Sequence, residues 1–194
     1  MIHARHARNI KSFIAKGDYK LTEGGLLIHG GIFAKGEYFE SVNGQDERVH
    51  RNLIPTEGIN LILDVALGAV AKPAGFYVAP YAGAVTPAAG WTAANYASTA
   101  SEITSTSEGW AGANRPAWTP GAAAAGAIDN LSAKASFTII CTTSLSINGA
   151  GILTNSTRGS TAGSLVSASR FGATRVVYNG DVWDCGYRVT LTDS

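Results

Sequence analysis

Val176-Val-Tyr-Asn-Gly-Asp-Val-Trp-Asp-Cys-Gly-Tyr-Arg-Val-Thr-Leu191 carries the clearest strand signal in the chain. Val182, Asp184, Gly186, Arg188 and Thr190 alternate with Trp183, Cys185, Tyr187, Val189 and Leu191. A period of two is the mark of a strand with one wet face and one buried face. A one-residue slip would bury Asp184 and Arg188 in place of the large apolar side chains. The predicted core face is therefore Trp183, Cys185, Tyr187, Val189 and Leu191, on a central or near-central strand. Asn179-Gly180 is a strong hairpin dipeptide, which predicts that Val176 to Tyr178 pairs with this strand.

Ala133, Ala135, Phe137, Ile139 and Cys141 line one face of a second predicted strand, and Leu145 to Leu153 continues in strands through Gly149-Ala-Gly151. Arg158 to Gly163 reads as a turn. Gly75 to Tyr81 reads as a strand, with Pro80 placing its end at an edge or terminus. Between them, 82–126 is rich in Gly, Ala, Pro and Thr and holds Trp91, Trp110 and Trp118. So long a structureless loop is unusual in a compact domain, so one or two short strands or helical turns are expected there, with a helical turn at Thr92 to Asn95. Upstream, 26–39 predicts short strands broken at Gly30-Gly31 and Lys35-Gly36, Asn43-Gly44 a turn, and Gln45 to Arg51 a charged loop. The one convincing helix is Glu57 to Leu67, with Thr56 as N-cap, Glu57 at the positive end of the dipole and Gly68 as terminator. Ile59, Ile62, Leu63, Ala66 and Val70 share one side of it, which predicts that this side lies against the sheet core.

The expected fold class is mainly β: a jelly-roll-like β-sandwich with one amphipathic helix and an extended N-terminal arm. Residues 1–22 form the predicted basic arm and 23–194 a single β-sandwich domain that includes helix 57–67. In the arm Ile10, Phe13 and Ile14 fall at i, i+3, i+4, a spacing that suits a short helix formed on contact with a partner. Residues 1–20 hold Arg5, Arg8, Lys11, Lys16 and Lys20 against Asp18 alone, a local balance of +4 that leaves −3 for the rest of a chain with net charge +1. Arg5, Arg8, Lys11, Phe13 and Ile14 are the candidate docking residues; contact with protein, contact with phosphates and a solvated tail are the three readings open for them.

Charged residues make up 15% of the 194, against about a quarter in a typical soluble protein, while hydrophobic residues reach 45%. A surface made of Ser, Thr, Asn, Gly and Ala suits burial against partner subunits and predicts a homo-oligomer or a larger assembly. The small net charge argues against general affinity for nucleic acid or membrane. No run approaches the length of a membrane span, and the start has no apolar stretch of signal-peptide length. Cys141 and Cys185 are the only cysteines; a reducing cytoplasm favours free buried thiols over a disulfide. Without a secretory route, the glycosylation patterns at Asn130-Leu-Ser132 and Asn155-Ser-Thr157 read as chance.

No catalytic pattern emerges. Gly31-Ile-Phe-Ala-Lys-Gly36 is followed by Glu37, which breaks the phosphate-loop pattern, and no metalloprotease, nucleophile-elbow or paired-cysteine motif occurs. His3, His6, His29 and His50 are scattered. Glu47-x-x-His50 suits a solvated loop pair better than a metal ion, and strand spacing sends Asp181 and Asp184 to opposite faces. The expectation is therefore no enzyme activity, no catalytic residue, no metal and no cofactor. Trp91, Trp110 and Trp118 are the candidate aromatics for an oligomer interface or for stacking on sugar rings.

The order of motifs over roughly 50–192 resembles small virion structural proteins of tailed bacteriophages. The residues that carry the likeness are Asn52-Leu-Ile-Pro-Thr-Glu-Gly58, Gly75-Phe-Tyr-Val-Ala79, Thr86-Pro-Ala-Ala89, Trp91-Thr-Ala-Ala-Asn95, Glu102, Asn114-Arg-Pro-Ala-Trp118, Ala135-Ser-Phe-Thr-Ile139, Ile147-Asn-Gly-Ala-Gly-Ile152, Ser169-Arg-Phe171 and Gly180-Asp181. The resemblance implies a β-sandwich present in many copies on a virion, made in the host bacterial cytoplasm. Its partners would be other virion proteins, namely capsid, portal, neck or tail subunits. Decoration or cementing of the capsid and a part in the neck or tail both remain open. The alternative is a glycan-binding, receptor-binding module of a tail fibre.

Overall fold

Among the described residues the strands form a sandwich of two antiparallel sheets and a separate two-stranded ladder, accompanied by two helices. The computed structural model describes residues 19–22, 25–28 and 32–193. It is mainly β, with 45% strand and 12% helix. The chain falls into two compact units, residues 1–34 with 191–194 and residues 35–190. In the first, β1 (Tyr19–Thr22) and β2 (Gly25–Ile28) form an antiparallel ladder from Tyr19 opposite Ile28 to Thr22 opposite Gly25. The expected arm boundary at residue 22 falls between these paired strands.

The second unit is the sandwich. The strands in chain order are β3 (Ile32–Val42), β4 (Gln45–Arg51), β5 (Tyr77–Tyr81), β6 (Gly109–Trp110), β7 (Ala127–Asp129), β8 (Ala135–Ile140), β9 (Leu145–Leu153), β10 (Leu165–Val177) and β11 (Val182–Asp193). The helices are α1 (Thr56–Ala66) and α2 (Ala93–Ala100). One sheet has the order β4-β3-β11-β8-β6, with β7 also on β11; the other has the order β10-β9-β5. The sandwich matches the expectation, although nine strands differ from the eight of a regular jelly roll. β11 is central, as its alternation required, and β5 is an edge strand that tolerates Pro80 opposite Ala150.

The core follows the period of two. Tyr38, Phe137, Ile139, Trp183, Cys185 and Tyr187 of the larger sheet pack with Val78, Ile147, Ala150, Ile152, Phe171 and Val177 of the smaller one. A second cluster covers the other side of the small sheet, where Trp91, Ala93, Tyr96 and Ala100 meet Ala79, Tyr81, Leu153, Leu165 and Ala168. Gly149-Ala-Gly151 makes this possible. A Cβ at Gly151 would lie 2.7 Å from the Tyr96 ring, and one at Gly149 would lie 2.2 Å from Tyr81. The two glycines leave room for aromatic rings against the strand. α2 runs for eight residues where a single turn was expected, because Thr92 and Asn95 form a capping box.

Several sequence expectations are corrected. β3 runs unbroken through Lys35-Gly36; Gly36 is a close-approach site, since a Cβ there would meet Asn52 and the Tyr187 hydroxyl at 2.5 Å. Gln45 to Arg51 is strand β4, whose charges belong to an outer strand of the sheet. Asn43-Gly44, both at positive φ, makes the β3–β4 turn as expected. Asn179-Gly180 is a tight turn with Gly180 at φ 87° but not a hairpin, because β10 pairs with β9 while β11 pairs with β8. The Gly180 N–H donates to the Ile139 carbonyl and the Ile139 N–H to the Asp181 carbonyl, so the turn docks on β8 as the chain crosses between sheets. Of the expected core face of β11, Trp183, Cys185 and Tyr187 are buried and Val189 packs against the core, while Leu191 is exposed. Ala133 is exposed too, ahead of the regular β8 alternation.

Candidate interaction surface

Helix α1 holds the least expected arrangement in the molecule. Pro55, in extended conformation, occupies the N-cap position, so Thr56 opens the helix and is not its cap. Leu67 is the C-cap and Gly68 follows it. The Glu57 carboxylate accepts the backbone N–H of Ala93 at 2.8 Å and of Leu165 at 2.6 Å, tying the first turn of α1 to α2 and β10. Gly58 is the buried residue of the helix, and a Cβ on it would sit 2.1 Å from the Val166 carbonyl oxygen. The helix therefore lies on the sheet through its glycine side, with Leu61 and Val65 half-buried beside it.

That orientation turns the apolar stripe outward. Ile59 is 49% exposed, Ile62 40%, Leu63 50%, Leu67 84% and Val70 52%. The side expected against the core is the side that faces away from it. The physical reason is that a glycine backbone approaches a strand more closely than any side chain permits, and the Glu57 bonds fix the rotation. An open groove of about 590 Å³ borders the stripe, lined by Asn60, Leu61, Asp64, Val70, Gly90 and Thr92 among others. Exposed apolar clusters of this kind mark contact surfaces. Gly58→Ala is expected to destabilise by about 1–3 kcal/mol by overpacking, although alanine is the better helix former by about 1 kcal/mol. A denaturant melt reads the sign, and a gain in stability would contradict this packing.

The charges that the surface lacks are partly inside. Glu40 is fully buried and its carboxylate receives Arg175 Nε (2.8 Å), Arg175 Nη2 (2.8 Å) and Trp183 Nε1 (3.0 Å). Arg175 also reaches Asp46 Oδ2 at 2.6 Å, joining β3, β4, β10 and β11. His50 lies 3.4 Å from Glu40 through Nε2, accepts the Gly172 N–H on Nδ1 and stacks on Phe171. The accepting Nδ1 leaves Nε2 to carry the proton toward Glu40. Burial alone would raise the Glu40 pKa, but hydrogen bonds from His50, Arg175 and Trp183 outweigh it and hold the carboxyl below its ordinary value. Hydrogen bonds from Arg175 and Arg48 hold Asp46 low. Asp181 is held low by the Tyr178 N–H and by Asn43. Carboxylates with depressed folded-state pKa values stabilise fully above the unfolded value and lose that contribution as pH falls through the folded one. Thermal stability is thus expected to drop on acidification below about pH 4, the unfolded carboxylate range; a midpoint that rises toward pH 3 would contradict it.

A second buried pair fastens the long connection. Arg115 grips Glu102 through two bonds of 2.7 Å and donates to the Asn155 carbonyl, while the Gly159 N–H donates to Glu102. Arg158 donates to the carbonyls of Ser105, Trp110 and Gly112 and lies over the Trp110 ring. Glu102, Arg115 and Arg158 therefore have structural roles here.

The candidate docking residues Arg5, Arg8, Lys11, Phe13 and Ile14, the expected helix at 10–14, and His29 lie outside the described residues. Trp91, Trp110 and Trp118 are buried. Trp91 packs in the α2 cluster, Trp110 edge-on to Phe137, and Trp118 donates to the Tyr187 carbonyl. Their rings fill core and are not free to stack on a sugar. Glu47 and His50 do not converge: Glu47 pairs with Lys134 and His50 with Glu40. Among the described residues no group of His, Cys, Asp or Glu is arranged to hold a metal ion, and no helix is long and apolar enough to cross a membrane. Cys141 and Cys185 are free and buried, and burial pushes the Cys185 thiol pKa well up. Asn130 is buried, accepting the Tyr187 N–H and donating to the Ala133 carbonyl, so its side chain is committed to the fold.

Sequence reasoning missed the outward stripe of α1, whose signal was Gly58 beside Glu57, and it missed the Glu40–Arg175 and Glu102–Arg115 pairs. No known family model matches the chain, and no curated protein matches it.

Proposed function

We propose that the chain is a non-enzymatic structural protein of a tailed-phage virion, which decorates or cements the capsid or builds part of the neck or tail through subunit contacts. The observation that carries the reading is the outward apolar face of α1, held rigidly on a sandwich by Gly58 and Glu57. A freely soluble monomer rarely leaves a row of large aliphatic side chains half exposed. The low charge content supports the same reading, as does the order of strand and turn motifs that resembles small phage virion proteins. Two buried ion pairs and two aromatic-rich core clusters brace the body, which suits a part repeated many times.

Mass spectrometry of gradient-purified phage particles, followed by a density map of them, tests the proposal. The chain should be present in multiple copies at regular positions. Its absence from purified particles would overturn the assignment.

A further inference from the structure

Two surfaces of opposite character stand out. One is the α1 face: Ile59, Ile62, Leu63, Leu67 and Val70 exposed, with Asn60 and Asp64 along the groove beside it. Of the residues that line the groove, Glu57 and Asp64 carry charge, and Glu57 is occupied by two backbone N–H groups, while the exposed Lys72 lies two residues beyond Val70. The free charge in the groove itself is therefore that of Asp64. Pairing two α1 helices groove to groove would bring two Asp64 carboxylates together, which opposes that form of self-pairing. The face calls for an apolar segment with a basic border.

The other surface is written in the sequence of this same chain. Residues 5–16, Arg-His-Ala-Arg-Asn-Ile-Lys-Ser-Phe-Ile-Ala-Lys, carry four basic residues and no acidic one, with Ile10, Phe13 and Ile14 on one side at helical spacing. A segment this short has too little helix stability alone, and an amphipathic helix of this kind gains it by laying its apolar side in a groove. We infer that the α1 face receives the basic amphipathic segment 5–16 of a second copy of the chain. Phe13 and its neighbours would cover the Ile59–Leu63–Leu67 row, and Arg8 or Lys11 would approach Asp64. Such a contact joins two different patches, so it is heterologous and builds rings or open rows of subunits. The inference rests on the reading of the chain as an assembly module.

Two full-length variants test it, Phe13→Asp and Leu63→Asp, each followed by native mass spectrometry and a thermal melt. Leu63 is half exposed, so its substitution is expected to leave the melting midpoint close to wild type. Each variant alone should lose self-association by at least about tenfold, a change of about 1.4 kcal/mol. Mixed, they should form dimers, because the Phe13→Asp chain keeps an intact α1 face and the Leu63→Asp chain keeps an intact segment. Loss in Leu63→Asp alone, or no dimer on mixing, would overturn the inference while leaving assembly through α1 in place. A wild-type chain that never associates would overturn both the inference and the assembly reading.

Discussion

Glu40→Ala is expected to destabilise the fold by about 3–5 kcal/mol, the range for breaking a buried ion pair by removing one partner. The substitution leaves Arg175, itself buried, with Asp46 as its remaining acidic partner, and it strips the acceptor from Trp183 Nε1. Against a total stability of about 5–15 kcal/mol for a domain, this is a large fraction. Most of the loss reflects a buried guanidinium left with only Asp46, not a net gain from the pair, since the desolvation of two charges offsets much of their attraction. Replacing both, as Glu40→Leu with Arg175→Met, is therefore expected to recover most of the stability that Glu40→Ala loses. Urea melts of the single and double variants check this. A loss under about 1 kcal/mol for Glu40→Ala, typical of an exposed pair, would contradict the buried network.

Trp183→Ala is expected to cost about 3–5 kcal/mol, the range for removing a large aromatic from a core. Trp183 contacts Phe137 and Phe171 and donates to Glu40, so its loss opens a cavity and unsettles the ion pair at once. Because Glu40 and Trp183 touch, the two effects should not add: the double variant should fall short of the sum of the singles. Asp184, one residue along and on the other face of β11, should tolerate alanine at a cost within about 0.5 kcal/mol, as surface positions do. Equal losses at 183 and 184 in guanidinium melts would mean that the faces of β11 are reversed.

The faces of β8 and β11 were legible because their alternation is local: each residue declares its side through its neighbour two positions away. The edge placement of β5 was legible from Pro80. What was not legible is what depends on distant partners. Glu40 and Arg175 are 135 residues apart, and nothing near either residue announces the other. β4 was read as a loop because Gln45, Asp46, Glu47 and Arg48 leave no alternation, as happens on a strand that faces solvent at a sheet edge. Asn179-Gly180 gave the turn but not its partner, since a tight turn reverses the chain without stating which sheet receives it. The orientation of α1 was misread for a physical reason. The amphipathic rule assigns the apolar stripe to the core, whereas here a single glycine and two bonds to Glu57 set the packing, and the stripe is left for something else. That exception is the feature on which the functional reading stands.

Sedimentation velocity on the 194-residue chain, run across a concentration series beside Leu63→Asp, tests whether the apolar face of α1 is an assembly surface. Wild-type species larger than a monomer are expected, with a share that grows with concentration, and Leu63→Asp is expected to shift to monomer with an unchanged melting midpoint. A wild-type chain that sediments as a monomer at every concentration would contradict it.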